Sequence, residues 1–223
     1  MEINAYGRQL SSTDIQAGAH RDFVGGLWDQ VGTLQFDFLV KQGLEPHHRF
    51  LDMGCGAMRG GVHFVRYLNA GHYYGLDFNA SLLEAGQHEL SKAGLLSKKP
   101  QLLVDDQFDV GRFATKFEYA LALSLFTHLP MNHIVRCLVE VGRSLATGGC
   151  LFATFFEAPQ SAHLNALAHS PGGIVTQYDR DPYHQSVEEM RWLANAAGLR
   201  LANVEEWGHP RGQKILKFFA QSS

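Results

Sequence analysis

The sequence predicts an α/β protein: a mostly parallel sheet with helices on both faces, closed at one side by an antiparallel hairpin. Three observations carry this. Short apolar runs alternate with segments of helical periodicity. A glycine cluster follows the first run. The last two runs, Leu199–Trp207 and Gln213–Ala220, are joined by Gly208-His209-Pro210-Arg211-Gly212, a turn-rich link short enough only for an antiparallel pair.

The elements follow in order. Val24–Leu44 places Leu27, Val31, Leu34, Phe38 and Leu39 at helical spacing, and Gly43 and Pro46 stop that helix. Arg49–Met53 is the first strand; its glycine-rich end opens a helix that finishes near Ala70–Gly71. Tyr73–Leu76 reads as a strand, Ala80–Ala93 as a helix and Gln101–Val104 as the third strand. Phe117–Leu125 is the fourth strand, Met131–Leu145 a helix stopped by Thr147-Gly148-Gly149, and Cys150–Phe156 the fifth strand. Glu157–Gln185 then breaks the rhythm with a long stretch rich in His, Pro, Gly and Tyr, which suits a lid. Ser186 caps a final helix with Glu188 and Glu189 in its first turn and Gly198 beyond its end.

Composition narrows the function classes. With 45% hydrophobic and 18% charged residues and a net charge of −3, the chain lacks the clustered basic charge that phosphate backbones demand. Three scattered cysteines, Cys55, Cys137 and Cys150, make neither a disulfide framework nor a paired zinc site. The polar Met1–Leu10 does not read as a secretion signal, and the longest apolar stretch, Tyr119–Phe126, falls far short of the roughly 20 residues of a membrane helix. A single domain over residues 1–223 in the cytoplasm is expected, with residues 1–45 as an N-terminal helical extension and 157–185 as the lid-like insertion. No bound metal is expected, since His47-His48 cannot both face one ion on a regular strand.

The strongest chemical signal is Leu51-Asp52-Met53-Gly54-Cys55-Gly56-Ala57-Met58-Arg59-Gly60-Gly61. A strand ends in an acid, and glycines then bring the backbone close to a ligand before a helix starts, where free N–H groups favour negative charge. About two dozen residues on, Tyr73-Tyr74-Gly75-Leu76-Asp77 ends the second strand with a carboxylate able to accept from both hydroxyls of a ribose. A dinucleotide fingerprint would place a third glycine at Arg59 and would not need Asp52, so a sulfonium nucleoside is the better ligand.

These segments, together with Val104-Asp105-Asp106 and the run Phe117–Leu129, resemble class I S-adenosylmethionine-dependent methyltransferases from about Arg49 to the C-terminus. The resemblance implies a Rossmann-like seven-stranded sheet in the order 3-2-1-4-5-7-6 with strand 7 antiparallel. It implies S-adenosylmethionine as cofactor and S-adenosylhomocysteine as product. It also implies cofactor contacts at Asp52, Gly54, Cys55, Gly56, Arg59, Asp77 and Phe78. Asp106 or Asp105 would meet the adenine amino group, Gln107 and Phe108 would border its ring, and Leu123 and Ser124 would line the methionine arm. Two positions depart from the family pattern: Met58 replaces the third glycine, and the acid early in strand 4 is Glu118.

Methyl transfer from a sulfonium needs alignment and, for a hydroxyl nucleophile, a base. His128, just past strand 4, is the expected catalytic residue. Phe126, Tyr183, His184, His209 and Arg211 are expected at the substrate rim, with His163, His169 and Tyr178 also in the lid. The expected partner is a small-molecule methyl acceptor, such as a sugar or secondary metabolite, taking the methyl on oxygen; nitrogen remains open. Two other readings are a catalytically silent S-adenosylmethionine-binding subunit and a nicotinamide-dependent oxidoreductase.

Overall fold

The structure, a computed structural model, describes residues 5–162 and 164–221; His163 lies outside the described residues. The chain divides after Asp106 into two compact units.

In the first unit, the helix expected over Val24–Leu44 is shorter, and two short helices stand before it where the polar sequence reads as irregular. Helices α1 (Ser12–Gln16) and α2 (Ala19–Phe23) precede α3 (Trp28–Lys41). Gly25 and Gly26 take positive φ between α2 and α3, a conformation that interrupts any helix. Ser11 caps α1 through a reciprocal bond with Asp14. Strand β1 (Phe50–Met53) is buried at all four residues and leads through the glycine turn into α4 (Gly61–Tyr67). Strand β2 (Tyr73–Asp77) pairs in parallel with β1. Helix α5 (Ala80–Lys92) starts from Asn79, whose side chain accepts from the Ser81 and Leu82 amides. Strand β3 (Gln101–Val104) pairs in parallel with β2.

In the second unit, β4 (Phe117–Ala122) ends three residues earlier than the sequence pattern predicts, because Ser124 adopts a left-handed φ of 55°. Helix α6 (Met131–Ser144) runs directly into β5 (Leu145–Phe155). The register jumps from Phe117↔Leu145 to Tyr119↔Cys150, so Thr147-Gly148-Gly149 forms an irregularity within the strand rather than a separate helix stop. The lid segment contains its own antiparallel pair, β6 (Leu167–His169) and β7 (Ile174–Thr176). Helix α7 (Val187–Ala196) has the expected Ser186 cap. The hairpin of β8 (Leu199–Glu205) and β9 (Lys214–Ala220) attaches β9 antiparallel to β5.

The strand order of the main sheet is β3-β2-β1-β4-β5-β9-β8. With the two lid strands set aside, this is the 3-2-1-4-5-7-6 order implied by the resemblance. No helix is long and apolar enough to cross a membrane.

Candidate active site

The glycine turn of the first unit folds as its sequence requires. Gly54 and Gly56 have φ of 69° and 53°, and Met58, in the place of the usual third glycine, has φ of 69°. A left-handed residue with a Cβ is strained. Burial of the Met58 side chain offsets this: it is fully enclosed, and a Cβ on Gly86 or Gly61 would come within 2.4 Å of its Cγ or 2.6 Å of its Cε. Glycines in α4 and α5 therefore make the room that lets a methionine stand in the turn.

Two carboxylates sit at the ends of the paired strands β1 and β2. Asp52, 4% exposed, accepts from the Tyr73 hydroxyl at 2.7 Å through Oδ2, with Met58 Sδ 3.2 Å from the same hydroxyl. Its Oδ1 has no partner among the described residues. Burial pushes this carboxyl up to about 7; the Tyr73 bond opposes the rise, the Asp77 charge adds to it, and the Arg59 charge opposes it. Asp77 accepts from the Gly56 amide at 2.8 Å and the Asn79 amide at 2.9 Å, one on each oxygen. Burial raises it to about 6 against the pull of the backbone bonds from Asn79, Gly56 and Phe78. Each Asp77 oxygen keeps a lone pair for a further donor. Cys55 is buried between these acids, and burial drives its thiol well above the usual range, so it stays neutral. Phe78, next along, is 41% exposed, and Val104, which ends the neighbouring strand, is 48% exposed. Asp106 and Gln107 are exposed beyond it, while Phe108 is buried with φ of 60°.

The N-terminal segment packs on this turn. Leu10 and Ile15 form a cluster with Ala57, Leu82 and Ala85, joined by Phe23, Val24 and Trp28. Asn79 donates to the carbonyls of Tyr6 and Arg8 at 2.7 and 2.9 Å. Arg59 donates to the carbonyls of Val24 and Gly26, which makes it a tether for the segment. Glu89 of α5 takes a two-pronged bond from Arg21 and a 2.8 Å bond to His20. This last cluster was not legible beforehand, because its members lie 68 and 69 residues apart.

In the second unit the polar groups gather beyond β4 and β5. The Ser124 amide donates to Thr154 Oγ1 at 2.6 Å, and its carbonyl accepts from Thr127 Oγ1 at 2.7 Å. The Ser124 and Thr154 hydroxyls both donate to Gln213 Oε1, at 3.0 and 2.7 Å. Four residues on, His128 Nδ1 is hydrogen-bonded to Asp181 Oδ1 at 2.5 Å, with side chains 24% and 22% exposed. The Tyr183 amide donates to the Thr127 carbonyl at 2.7 Å, so the end of the lid is pinned to the β4 turn.

Three of the aromatic or basic residues expected at the rim, Phe126, His184 and His209, are turned inward. Phe126 and His184 are wholly buried. Phe126 follows an apolar strand and completes its core; His184 Nδ1 bonds Thr176 Oγ1, which also bonds His169 Nε2. His209 is 5% exposed, stacked on Trp207 and bonded through Nδ1 to the Arg211 amide. Tyr183 and Arg211 are partly exposed. Thr154 and Gln213 were missed by sequence reasoning, since nothing local marks them; Asp181 stands out beside Asp179 as an acidic pair, but nothing local joins it to His128.

Comparison with known proteins agrees with the geometry. Residues 50–149 match the family described as methyltransferase domain. The fold is similar to magnesium protoporphyrin IX methyltransferase from Synechocystis PCC 6803 with bound SAM, at 17% identity and a TM-score of 0.63, covering 99% of this chain and 88% of that one. The CcbJ methyltransferase of Streptomyces caelestis gives 13% identity and a TM-score of 0.69 over the full length of both chains. The O-methyltransferase NcsB1 from neocarzinostatin biosynthesis, in complex with S-adenosyl-L-homocysteine and 1,4-dihydroxy-2-naphthoic acid, gives 16% and 0.60, covering 95% of this chain and 62% of that one. The glycine turn, the two strand-ending acids and the strand order agree with the family match: residues 50–149 are similar to a methyltransferase domain.

Proposed function

We propose that the chain methylates an oxygen of a small molecule and that His128 is its base. The observation that carries this reading is the His128–Asp181 pair. A carboxylate on Nδ1 holds the imidazole in the tautomer whose lone pair lies on Nε2, and it stabilises the cation formed when that nitrogen takes a proton. A nitrogen nucleophile would need less help of this kind. S-adenosylmethionine, when bound, supplies an electrophilic methyl on a sulfonium; the chain must hold it and align the acceptor.

The residues present fit that cofactor. A near-buried carboxylate with an uncapped oxygen, Asp52, suits the ammonium of the methionine arm. The amides of the Gly54–Gly56 turn suit its carboxylate, and Asp77 suits the ribose diol. The exposed faces of Phe78 and Val104 suit the flat adenine, with Asp106 and Gln107 at its edge. Leu123 and Ser124 serve the methionine arm, while Tyr183, Arg211 and the lid of residues 157–185 meet the acceptor. The relatives of like fold that act on or bind small molecules support this acceptor class.

The test is labelled methyl transfer to a panel of phenols and hydroxy acids that includes 1,4-dihydroxy-2-naphthoic acid. His128→Ala lowers kcat by about 10²–10⁴-fold with S-adenosylhomocysteine affinity unchanged, and Asp181→Asn lowers it less. Full turnover by His128→Ala sinks the base assignment.

A further inference from the structure

The carboxamide of Gln213 is bonded on one side only. Its Oε1 accepts from two hydroxyls, Thr154 at 2.7 Å and Ser124 at 3.0 Å, and its backbone carbonyl accepts from Trp207 Nε1 at 2.9 Å. Its Nε2, with two N–H groups, is bonded to no described residue; the residue is 4% exposed, yet Nε2 is not among the fully enclosed unpartnered atoms, so it lies where solvent or a ligand reaches it. The orientation of the amide follows from Thr154: that hydroxyl already accepts from the Ser124 amide, so its proton has to be given away, and Oε1 takes it. A donor held in place by its own amide's two accepted hydrogen bonds and open on its other side is preorganised to meet a ligand oxygen.

The position fits a ligand contact. Ser124 follows β4, Thr154 lies next to last in β5, and Gln213 immediately precedes β9, which runs antiparallel and pairs Lys214 with Phe155. All three therefore stand at the carboxyl edge of the parallel strands, where open α/β sheets bind their ligands. Ser124 is also one of few non-glycine residues with positive φ, and strain of that kind persists where surrounding bonds over-determine it.

We propose that Gln213 is a ligand-reading residue: Oε1 braces the strained Ser124 turn, and Nε2 donates to a carbonyl or carboxylate oxygen of a molecule bound at this edge. Two sources carry that chemistry, the amino-acid carboxylate of the cofactor and an oxygen of the methyl acceptor. The proposal rests on the methyltransferase reading but not on His128 being the base.

The decisive experiment is a crystal structure of the wild-type complex with S-adenosylhomocysteine, soaked in sodium acetate, joined to calorimetry on Gln213→Glu. Glutamate keeps an oxygen for the two hydroxyls and, when ionised, removes the donor; its charge costs some stability, so calorimetry is run above about pH 8 at a temperature where the variant's melting curve shows it folded. The expected structure has an oxygen of S-adenosylhomocysteine or of acetate about 3 Å from Nε2. If the cofactor is the source, Gln213→Glu weakens S-adenosylhomocysteine about tenfold and leaves 5′-methylthioadenosine, which lacks the amino-acid arm, unaffected. If the acceptor is the source, cofactor affinity is unchanged and the variant loses the acetate. Nε2 meeting only water or a protein acceptor in the wild-type complex overturns the proposal. Failure of S-adenosylhomocysteine to bind the wild type at all would instead sink the methyltransferase reading.

Discussion

The two units solve the same problem, presenting polar groups at strand ends, by opposite means. In the first, the groups are acids withdrawn from water: Asp52 and Asp77 are nearly buried and pushed to about 7 and 6, close to losing their charge. In the second, the turn after β4 is held by hydroxyls and an amide, with Ser124, Thr154 and Gln213 sharing neutral hydrogen bonds. The first arrangement responds to pH; the shared hydrogen bonds of the second involve no ionisable side chain.

The sharpest way to break that contrast is Asp77→Ala. It removes a charged acceptor for two hydroxyls and strands the Gly56 and Asn79 amides, so S-adenosylhomocysteine affinity falls about 100-fold by calorimetry. An unchanged affinity would show that charge is not the binding term in the first unit. Gly86→Ala comes next. Its Cβ would collide with Met58, and denaturant unfolding should show a loss of about 1–3 kcal/mol.

A smaller effect comes from pH. Burial raises Asp52, so the free protein holds a proton there up to about 7, whereas a bound ammonium favours the ionised form. Ligand binding expels that proton, and affinity weakens by up to about tenfold per unit as pH falls below 7. Asp52→Asn should flatten the curve. The free protein runs the other way: the stability contribution of Asp52 and Asp77 is full below about 3.9, their unfolded value, and is lost as pH rises through about 6 and 7. The smallest effect is expected from Glu89→Gln. Burial works to raise Glu89, but the Arg21 and His20 bonds outweigh it and hold the carboxyl below its usual value. Because Arg21 is 42% exposed, water screens much of the pair, and about 1 kcal/mol is at stake. Hydrogen exchange should show it as faster opening of residues 10–26.

Legibility in the sequence divides along the same line. Asp52, Gly54, Gly56 and Asp77 are readable because each chemical requirement is met by close neighbours: a strand, an acid, a turn. A parallel sheet closed by an antiparallel strand follows from alternation and the terminal hairpin; the order of its strands comes only from the family resemblance. The second unit is opaque because its groups meet only after folding: Asp181 reaches His128 across 53 residues and Gln213 reaches Ser124 across 89. Phe126 and His184 look like rim residues in the sequence, yet one completes a core and the other sits inside the lid's hydrogen bonds. Residue type alone does not distinguish a face from an interior. Apolar spacing places the start of α3 too early, at Val24, since the positive φ of Gly25 and Gly26 keeps the helix from starting before Trp28.

The lid and the hairpin loop abut closely at their glycines. A Cβ on Gly172 would lie 2.7 Å from Arg211 Cα, and one on Gly212 would lie 2.1 Å from the Ser170 carbonyl oxygen. Anyone re-engineering acceptor choice by grafting a foreign lid would meet that seam first. Residues 167–185 and 207–213 form a cassette to be exchanged together, and transplanting one without the other would force main chain into main chain.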